Sequence, residues 1–153
     1  MQRLLVAVDL LHAQAHAVVA QASTWAASMG ATLDLGFVDE YEYSAYLIRD
    51  PRVRETVIAQ WEKVKANHEA ELERLLGSIP AAHRGRVRYL EGKAAPALVE
   101  VAPEYDALVV ATHGRKGLGH MVLGSVAERL VRMVPVPVVV LRLPAEAPAE
   151  EAR

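Results

Sequence analysis

Residues 107–125, ALVVATHGRKGLGHMVLGS, contain the features that decide the fold of this chain. The apolar run 107–111 is typical of a buried strand. The loop that follows it contains the glycines Gly114, Gly117, Gly119 and Gly124. Two cations, Arg115 and Lys116, lie between the first two of these glycines. A helical pattern begins at Ser125. A strand, a glycine-rich basic loop and a helix start in this order are typical of a site that holds phosphate.

The rest of the chain alternates between short apolar runs and longer amphipathic segments. Strands are predicted for residues 4–8, 31–38, 86–90, 107–111 and 136–143. Helices are predicted for residues 15–29, 51–77, 94–102 and 125–134. Because a parallel connection needs a return of helical length, this order predicts an α/β fold. Its centre is a doubly wound, five-stranded parallel sheet, Rossmann-like, with helices on both faces.

Ligands of such sheets bind at the carboxyl ends of the strands, where the strand order reverses. The strand ends that this rule selects are Asp9, Val38 and the loop after Ala111.

Composition narrows the possible function classes. The chain has 153 residues, 52% of them hydrophobic, which predicts one domain over residues 1–143 and a disordered tail over residues 144–153. The formal charge of -2 provides no global field for nucleic acid or an anionic membrane. The absence of cysteine excludes disulfides and thiolate chemistry. No signal peptide or membrane span is predicted, and we expect a cytoplasmic protein.

The glycine loop does not match the familiar nucleotide motifs. Lys116 precedes Gly117 instead of following it, which excludes a P-loop. Val122 occupies the position where a dinucleotide fingerprint requires glycine. The glycines therefore indicate either phosphate binding of another kind or only a turn.

Two polar residues next to predicted strands or helices have alternative roles. Ser125 and Glu128 have the spacing of a capping box at the start of a helix, and Ser125 could equally contact a ligand. Asp9 follows a buried strand, where it could cap a helix or accept hydrogen bonds from a sugar or base. Both alternatives remain open at this stage.

Catalytic and metal-binding patterns are weak. His113 and His120 are close in the loop, and His12 and His16 are expected to share a helix face, but neither pair has a third ligand nearby in sequence. His68 lies on an apolar helix stripe and is interpreted as a boundary or core residue. The acidic positions Asp39, Glu40 and Glu42 are interpreted as a solvated loop. No catalytic residue is predicted.

Three segments together resemble a known family. They are ATHG at 111–114, GSVAER at 124–129 and VPVPVVV at 134–140, and VAVD at 6–9 also agrees. In these segments the chain resembles the universal stress protein family. The resemblance implies a five-stranded fold of the adenine-nucleotide-binding type. It also implies a homodimer formed through the last strand, Val136 to Leu143, which as an unpaired apolar edge needs protection.

The resemblance also implies a ligand and its contacts. Members that bind ATP carry Gly-x-x-Gly, nine residues and Gly-Ser/Thr, and this chain matches at Gly114, Gly124 and Ser125. By resemblance these residues meet phosphates and ribose. The residues expected around the phosphates also include Arg115, Lys116 and Gly117, and those expected at adenosine are Asp9 and Val38.

The departure from the family pattern is Ala111, which replaces the first glycine. If that position required positive φ, alanine would cost about 1–2 kcal/mol, or roughly tenfold in affinity. If the family glycine is needed only to leave room for the ligand, the methyl group of Ala111 is either tolerated or blocks the ligand. We expect ATP binding, with or without Mg2+, to be retained. The alternatives are a nucleotide-free dimeric interaction protein and a slow ATP hydrolase.

Overall fold

The computed structural model describes residues 2–40, 45–113 and 123–143. Its strands are β1 (Arg3–Ala7), β2 (Thr32–Asp39), β3 (Arg84–Glu91), β4 (Ala107–His113) and β5 (Val138–Leu143). The helices between the strands are α1 (Ala15–Ser28), α2 (Pro51–Gly77), α3 (Ala94–Val101) and α4 (Ser125–Met133). Short 3-10 turns precede β3 at Ala81–His83 and follow α3 at Ala102–Glu104. The predicted strands and helices are therefore confirmed, with small differences at their ends.

The strands form one sheet in the order β3-β2-β1-β4-β5, and every neighbouring pair is parallel. The chain winds outward from β1 to β3 on one side and from β4 to β5 on the other. The order therefore reverses between β1 and β4. This arrangement confirms the predicted doubly wound α/β fold.

Each face of the sheet is covered by two helices. Alternate side chains of a strand point to opposite faces, so the sheet contributes to two separate clusters. The first cluster packs against α1 and α2 and includes Leu33, Leu35 and Phe37 of β2. The second cluster packs against α3 and α4 and includes Leu98 and Leu130. The continuous apolar strands of the sequence reflect this burial on both sides.

Two helix ends follow from local sequence. Gly30, just after α1, has φ 63, the left-handed conformation in which many helices end. At the start of α2 the side chain of Asp50 accepts hydrogen bonds from the amides of Arg52 and Val53, and Pro51 occupies the first turn. In the described part of the chain, no helix combines the length and apolar character needed to span a membrane.

The amino-terminal edge of the sheet is closed by a buried carboxylate. Asp34 of β2 is 2% exposed and accepts hydrogen bonds from the backbone amide of Arg86, the hydroxyl of Tyr105 and the guanidinium of Arg3. Desolvation by burial is the main cause that raises the pKa of Tyr105, followed by its hydrogen bond to Asp34. This network ties β1, β2 and β3 together at the edge opposite the predicted site.

Candidate functional site

A gap opens between β1 and β4 at the carboxyl edge of the sheet. The two strands pair from Leu4 beside Ala107 to Val6 beside Val109, and β4 then continues without this partner to His113. This is the point at which the strand order reverses, where ligands of doubly wound folds bind. The gap therefore lies at the edge where the sequence predicts a ligand.

Val38 and Asp9 come from neighbouring strands at this edge. Ala7 pairs with Gly36, and the amide of Val8 still donates to the carbonyl of Gly36 at 2.8 Å. Two residues further along the same register are Asp9 and Val38. Val38 is half-buried against the cluster under α3 and α4, and Asp9 is exposed. An apolar surface and a carboxylate thus lie side by side.

Asp9 does not cap a helix. Its Oδ1 accepts a hydrogen bond from the amide of Leu11 at 3.0 Å, which stabilises the turn after β1. Helix α1 begins at Ala15, and its N-cap residue is Gln14, without a side-chain cap. The capping role considered for Asp9 is therefore wrong, because the turn inserts several residues between the carboxylate and the helix. The ligand role stays a prediction.

The capping box at Ser125 is also wrong. Helix α4 begins one residue earlier than that interpretation requires, with Gly124 as N-cap at φ -57 and ψ 155. Ser125 is already helical and exposed, and its hydroxyl has no hydrogen-bond partner in the described segments. Glu128 instead accepts a hydrogen bond from Arg132 at 2.9 Å. The first amides of α4 thus lack a side-chain cap.

Ala111 is a regular strand residue. It pairs with Leu141 of β5, and its methyl group packs against the cluster on the α1 and α2 side. Positive φ occurs among the described residues only at Gly30 and Gly92. The possibility that position 111 needs positive φ is therefore excluded for this chain. The methyl group lies on the face opposite Val38.

Four predicted site residues lie outside the described part of the chain: Gly114, Arg115, Lys116 and Gly117. His120, Glu42 and the predicted tail, residues 144–153, also lie outside it. Their predicted roles stay predictions.

The sequence interpretation of Asp39 is wrong. It is the last residue of β2 and only 3% exposed, not part of a solvated loop. Its Oδ2 accepts hydrogen bonds from Nε1 of Trp61 at 2.9 Å and from the hydroxyl of Tyr89. Burial, and then this hydrogen bond to Asp39, raises the pKa of Tyr89. The sequence did contain a signal for this burial. Side chains alternate between the two faces of a strand, so Asp39, two positions after the core residue Phe37, lies on the same face.

Asp39 and its neighbour Glu40 fix the end of β2. The backbone carbonyl of Asp39 accepts from the amide of Gly92 at 3.1 Å. Oε1 of Glu40 accepts from the amide of Ala94 at 2.8 Å, where α3 begins. The end of β2 that follows Val38 is therefore tied to α2, β3 and the start of α3.

The histidines differ partly from expectation. His12 lies in the turn after β1, not on a helix with His16, and its Nδ1 accepts from the amide of Gln14 at 3.2 Å. His68 is half-buried, with its ring against Phe37, which confirms a boundary position. Within residues 2–40, 45–113 and 123–143, no cluster of three or more metal-ligating side chains occurs.

Comparison with known families assigns the chain. The model of the universal stress protein family matches residues 1–142. The chain belongs to the universal stress protein family. No curated protein matches this family member significantly by sequence.

Solved structures of other universal stress proteins share the fold. The universal stress protein UspA from Lactobacillus plantarum has a TM-score of 0.74 at 19% identity, over 92% of this chain and 97% of its own. One from Archaeoglobus fulgidus has a TM-score of 0.62 at 19% identity, over 92% and 98%. A universal stress protein in complex with cAMP has a TM-score of 0.62 at 22% identity, over 92% and 96%. Identities this low show a common fold.

Proposed function

We propose that this universal stress protein is an ATP-binding module of the stress response, with or without Mg2+. The observation that carries the proposal is the meeting of three features at one edge of the sheet. They are the gap between β1 and β4, the adjacent pair Asp9 and Val38, and the start of α4 without a side-chain cap. A structural relative in complex with cAMP makes an adenine nucleotide a reasonable ligand class.

The phosphates belong at the start of α4. The amides that begin α2 and α3 are engaged by Asp50 and Glu40, whereas the starts of α1 and α4 have no side-chain cap. Of these two, α4 is the helix that follows the glycine loop. Free amides and the positive end of a helix favour a phosphate group. The hydroxyl of Ser125 and the loop residues Gly114, Arg115, Lys116 and Gly117 complete this part of the proposed site.

The adenosine part belongs at the ends of β1 and β2. Val38 offers a half-buried apolar surface for the base, and the hydrogen bonds at Asp39 and Glu40 hold it in place. Asp9 has one oxygen on the amide of Leu11 and a second oxygen to accept a ribose hydroxyl.

Ala111 is compatible with this ligand. Its φ is not in the left-handed region, and its methyl group packs toward α1 and α2. The substitution of the family glycine therefore causes no backbone strain, and the methyl group does not point toward the face that carries Val38.

Thermal unfolding with millimolar ATP and Mg2+ tests the proposal. At about 100 times the dissociation constant, ATP should stabilise the fold by ~2.7 kcal/mol. Asp9→Ala and Ser125→Ala should each reduce this gain, while Glu73→Ala, an exposed change on α2, should leave it unchanged. A wild-type protein that shows no shift and no binding in calorimetry would exclude ATP as the ligand. Phosphate release by the ATP-bound protein separately tests the slow hydrolase alternative.

The second candidate is a nucleotide-free homodimer, and the position of β5 favours it. This strand ends the described sheet, and its residues Val138, Val139 and Val140 are only partly buried. An open apolar edge favours pairing with a second copy through Val136 to Leu143. Native mass spectrometry distinguishes the candidates, because a dimer that carries adenylate supports the first and a bare dimer supports the second. Val140→Lys should shift either dimer toward monomer.

A further inference from the structure

Thr112 of β4 has a buried but unpaired hydroxyl. The residue is 4% exposed, and its side chain makes no hydrogen bond in the part of the chain that the structure describes. In the same ranges, the unpaired side-chain atom that is fully sealed from solvent is Nδ1 of His68 alone. Among the described residues, the hydroxyl of Thr112 therefore has no protein partner, and it is not fully sealed from solvent.

This hydroxyl is unfavourable for folding alone. At 4% exposure this hydroxyl has little contact with water, and the described protein offers it no hydrogen bond in return. Valine has the same branched shape and would suit a buried strand position better, as at Val110 two residues earlier. Packing therefore does not account for a hydroxyl at position 112, whereas contact with a bound ligand does.

The position of Thr112 in the sheet indicates that role. Counting three residues on from the last β1–β4 pair, Val6 and Val109, reaches Asp9 on one chain segment and Thr112 on the other, so these residues follow the two strands that border the gap. Thr112 alternates with Val110, which packs in the cluster under α3 and α4. Thr112 therefore faces the side on which α4 begins, while Ala111 faces away from it.

We infer that Thr112 is a ligand-binding residue of this site, whose hydroxyl donates a hydrogen bond to a phosphate or ribose oxygen of the bound adenylate. The inference rests on the proposed function. It adds a contact on β4 to the contacts from β1, β2 and α4, so that the adenylate is held from both sides of the gap.

Thr112→Val and Thr112→Ser separate binding from folding. Thr112→Val keeps the shape and removes the hydroxyl, so the ligand-free protein should unfold at the wild-type temperature or higher. Its affinity for ATP in isothermal titration calorimetry should fall about tenfold, as expected for a lost hydrogen bond to a charged group. Thr112→Ser should keep an affinity within about threefold of wild type, because the hydroxyl remains.

Thr32→Val is the matched control. Thr32 begins β2 at the opposite edge of the sheet, where its hydroxyl donates to the carbonyl of Gln2 at 3.4 Å. The affinity of the Thr32→Val variant for ATP should equal that of wild type. Titration with adenosine identifies the contact, since a loss for ATP alone indicates a phosphate oxygen and a loss for both indicates ribose.

The outcomes that overturn the inference are distinct from those that overturn the function. If Thr112→Val binds ATP as tightly as wild type, the inference fails and the proposed function survives. If Thr112→Val lowers the unfolding temperature of the ligand-free protein, the hydroxyl is structural and the inference also fails. If wild type binds no adenylate, both fail.

Discussion

Gly85 lies directly against the carboxylate of Asp34. A β-carbon at position 85 would collide with Oδ1 of Asp34 and would lie 2.7 Å from the carbonyl oxygen of Leu33. The register between β2 and β3 shifts at this point, between Leu33 and Leu35, so that β3 carries one extra residue opposite Asp34. This bulge lets the amide of Arg86 reach the buried carboxylate.

We expect Gly85→Ala to destabilise the protein by about 1–3 kcal/mol, because the methyl group must displace backbone or break the bonds to Asp34. Urea unfolding measures the change. Gly77→Ala is the matched control, because nothing lies within 4 Å of its added carbon. Since Gly77 is the last residue of α2, we expect that change to be neutral or slightly stabilising. Equal effects of the two variants would contradict the assigned contact.

Trp61→Phe should destabilise the fold by about 1–3 kcal/mol, since the buried carboxylate of Asp39 would lose a donor along with some packing. Thermal unfolding measures the loss. Trp25→Phe, at a half-buried position of α1, is the matched control for a loss of aromatic volume. A smaller effect at Trp61 than at Trp25 would show that the hydrogen bond to Asp39 contributes little.

Alkaline pH should destabilise the protein through Tyr89. Burial and the hydrogen bond to Asp39 raise the pKa of Tyr89 above its ordinary value of 10.0. The unfolded chain therefore releases this proton first as pH rises. The stability due to the protonated hydroxyl is complete below about pH 10 and is lost as pH rises toward the folded pKa.

Tyr89→Phe tests this dependence. The stability of wild type in urea should fall between about pH 10 and 11, and the variant should show a shallower fall. The remaining slope includes Tyr105, whose pKa is also raised by burial. Parallel curves for wild type and variant would contradict the prediction.

His68→Phe should stabilise the protein. The substitution removes the sealed and unpaired Nδ1 and keeps an aromatic ring against Phe37. We expect a gain of about 1 kcal/mol in thermal unfolding. His83→Phe is the opposite case, because Nδ1 of His83 lies 2.9 Å from the carbonyl oxygen of Ala31 and its removal breaks that contact. A loss of stability in His68→Phe would show that its nitrogen has a favourable partner.

Asp50→Ala should cost about 1 kcal/mol, because α2 would lose the acceptor for its first amides. Asp50→Asn should cost less, since asparagine is an equally good N-cap. Circular dichroism during urea unfolding measures both changes. If the two variants unfold together, the loss is not due to the cap.

The order of the secondary structure was readable because local chemistry decides it. Apolar runs such as 4–8 and 107–111 are typical of strands covered on both sides, and Gly30 ends α1 through a conformation that glycine adopts easily. The expectation that a ligand would bind at the carboxyl ends of the strands followed from the rule for doubly wound sheets, whereas the strand order itself is visible only in the structure.

Contacts between residues distant in sequence were not readable. Asp39 was interpreted as a solvated residue because its sequence neighbours are acidic, but Trp61 and Tyr89 bring their donors to it from α2 and β3. The capping interpretation of Ser125 failed because a shift of one residue in the start of α4 moves the cap to Gly124. Sequence spacing does not fix a helix start to that accuracy.

The sequence by itself determined the parallel α/β fold and the family, because periodicity, glycine spacing and helix-length connections are local properties. It also indicated the edge at which we propose that a nucleotide binds. Only the tertiary structure decided which polar groups are already paired. It pairs Asp39 with donors from α2 and β3, directs the methyl group of Ala111 toward α1, and gives Thr112 no hydrogen-bond partner among the described residues. Whether a polar side chain finds a hydrogen-bond partner depends on which strands and helices become its neighbours. Burial makes an unpaired polar group costly. The packed sheet therefore decides which of these polar residues are paired.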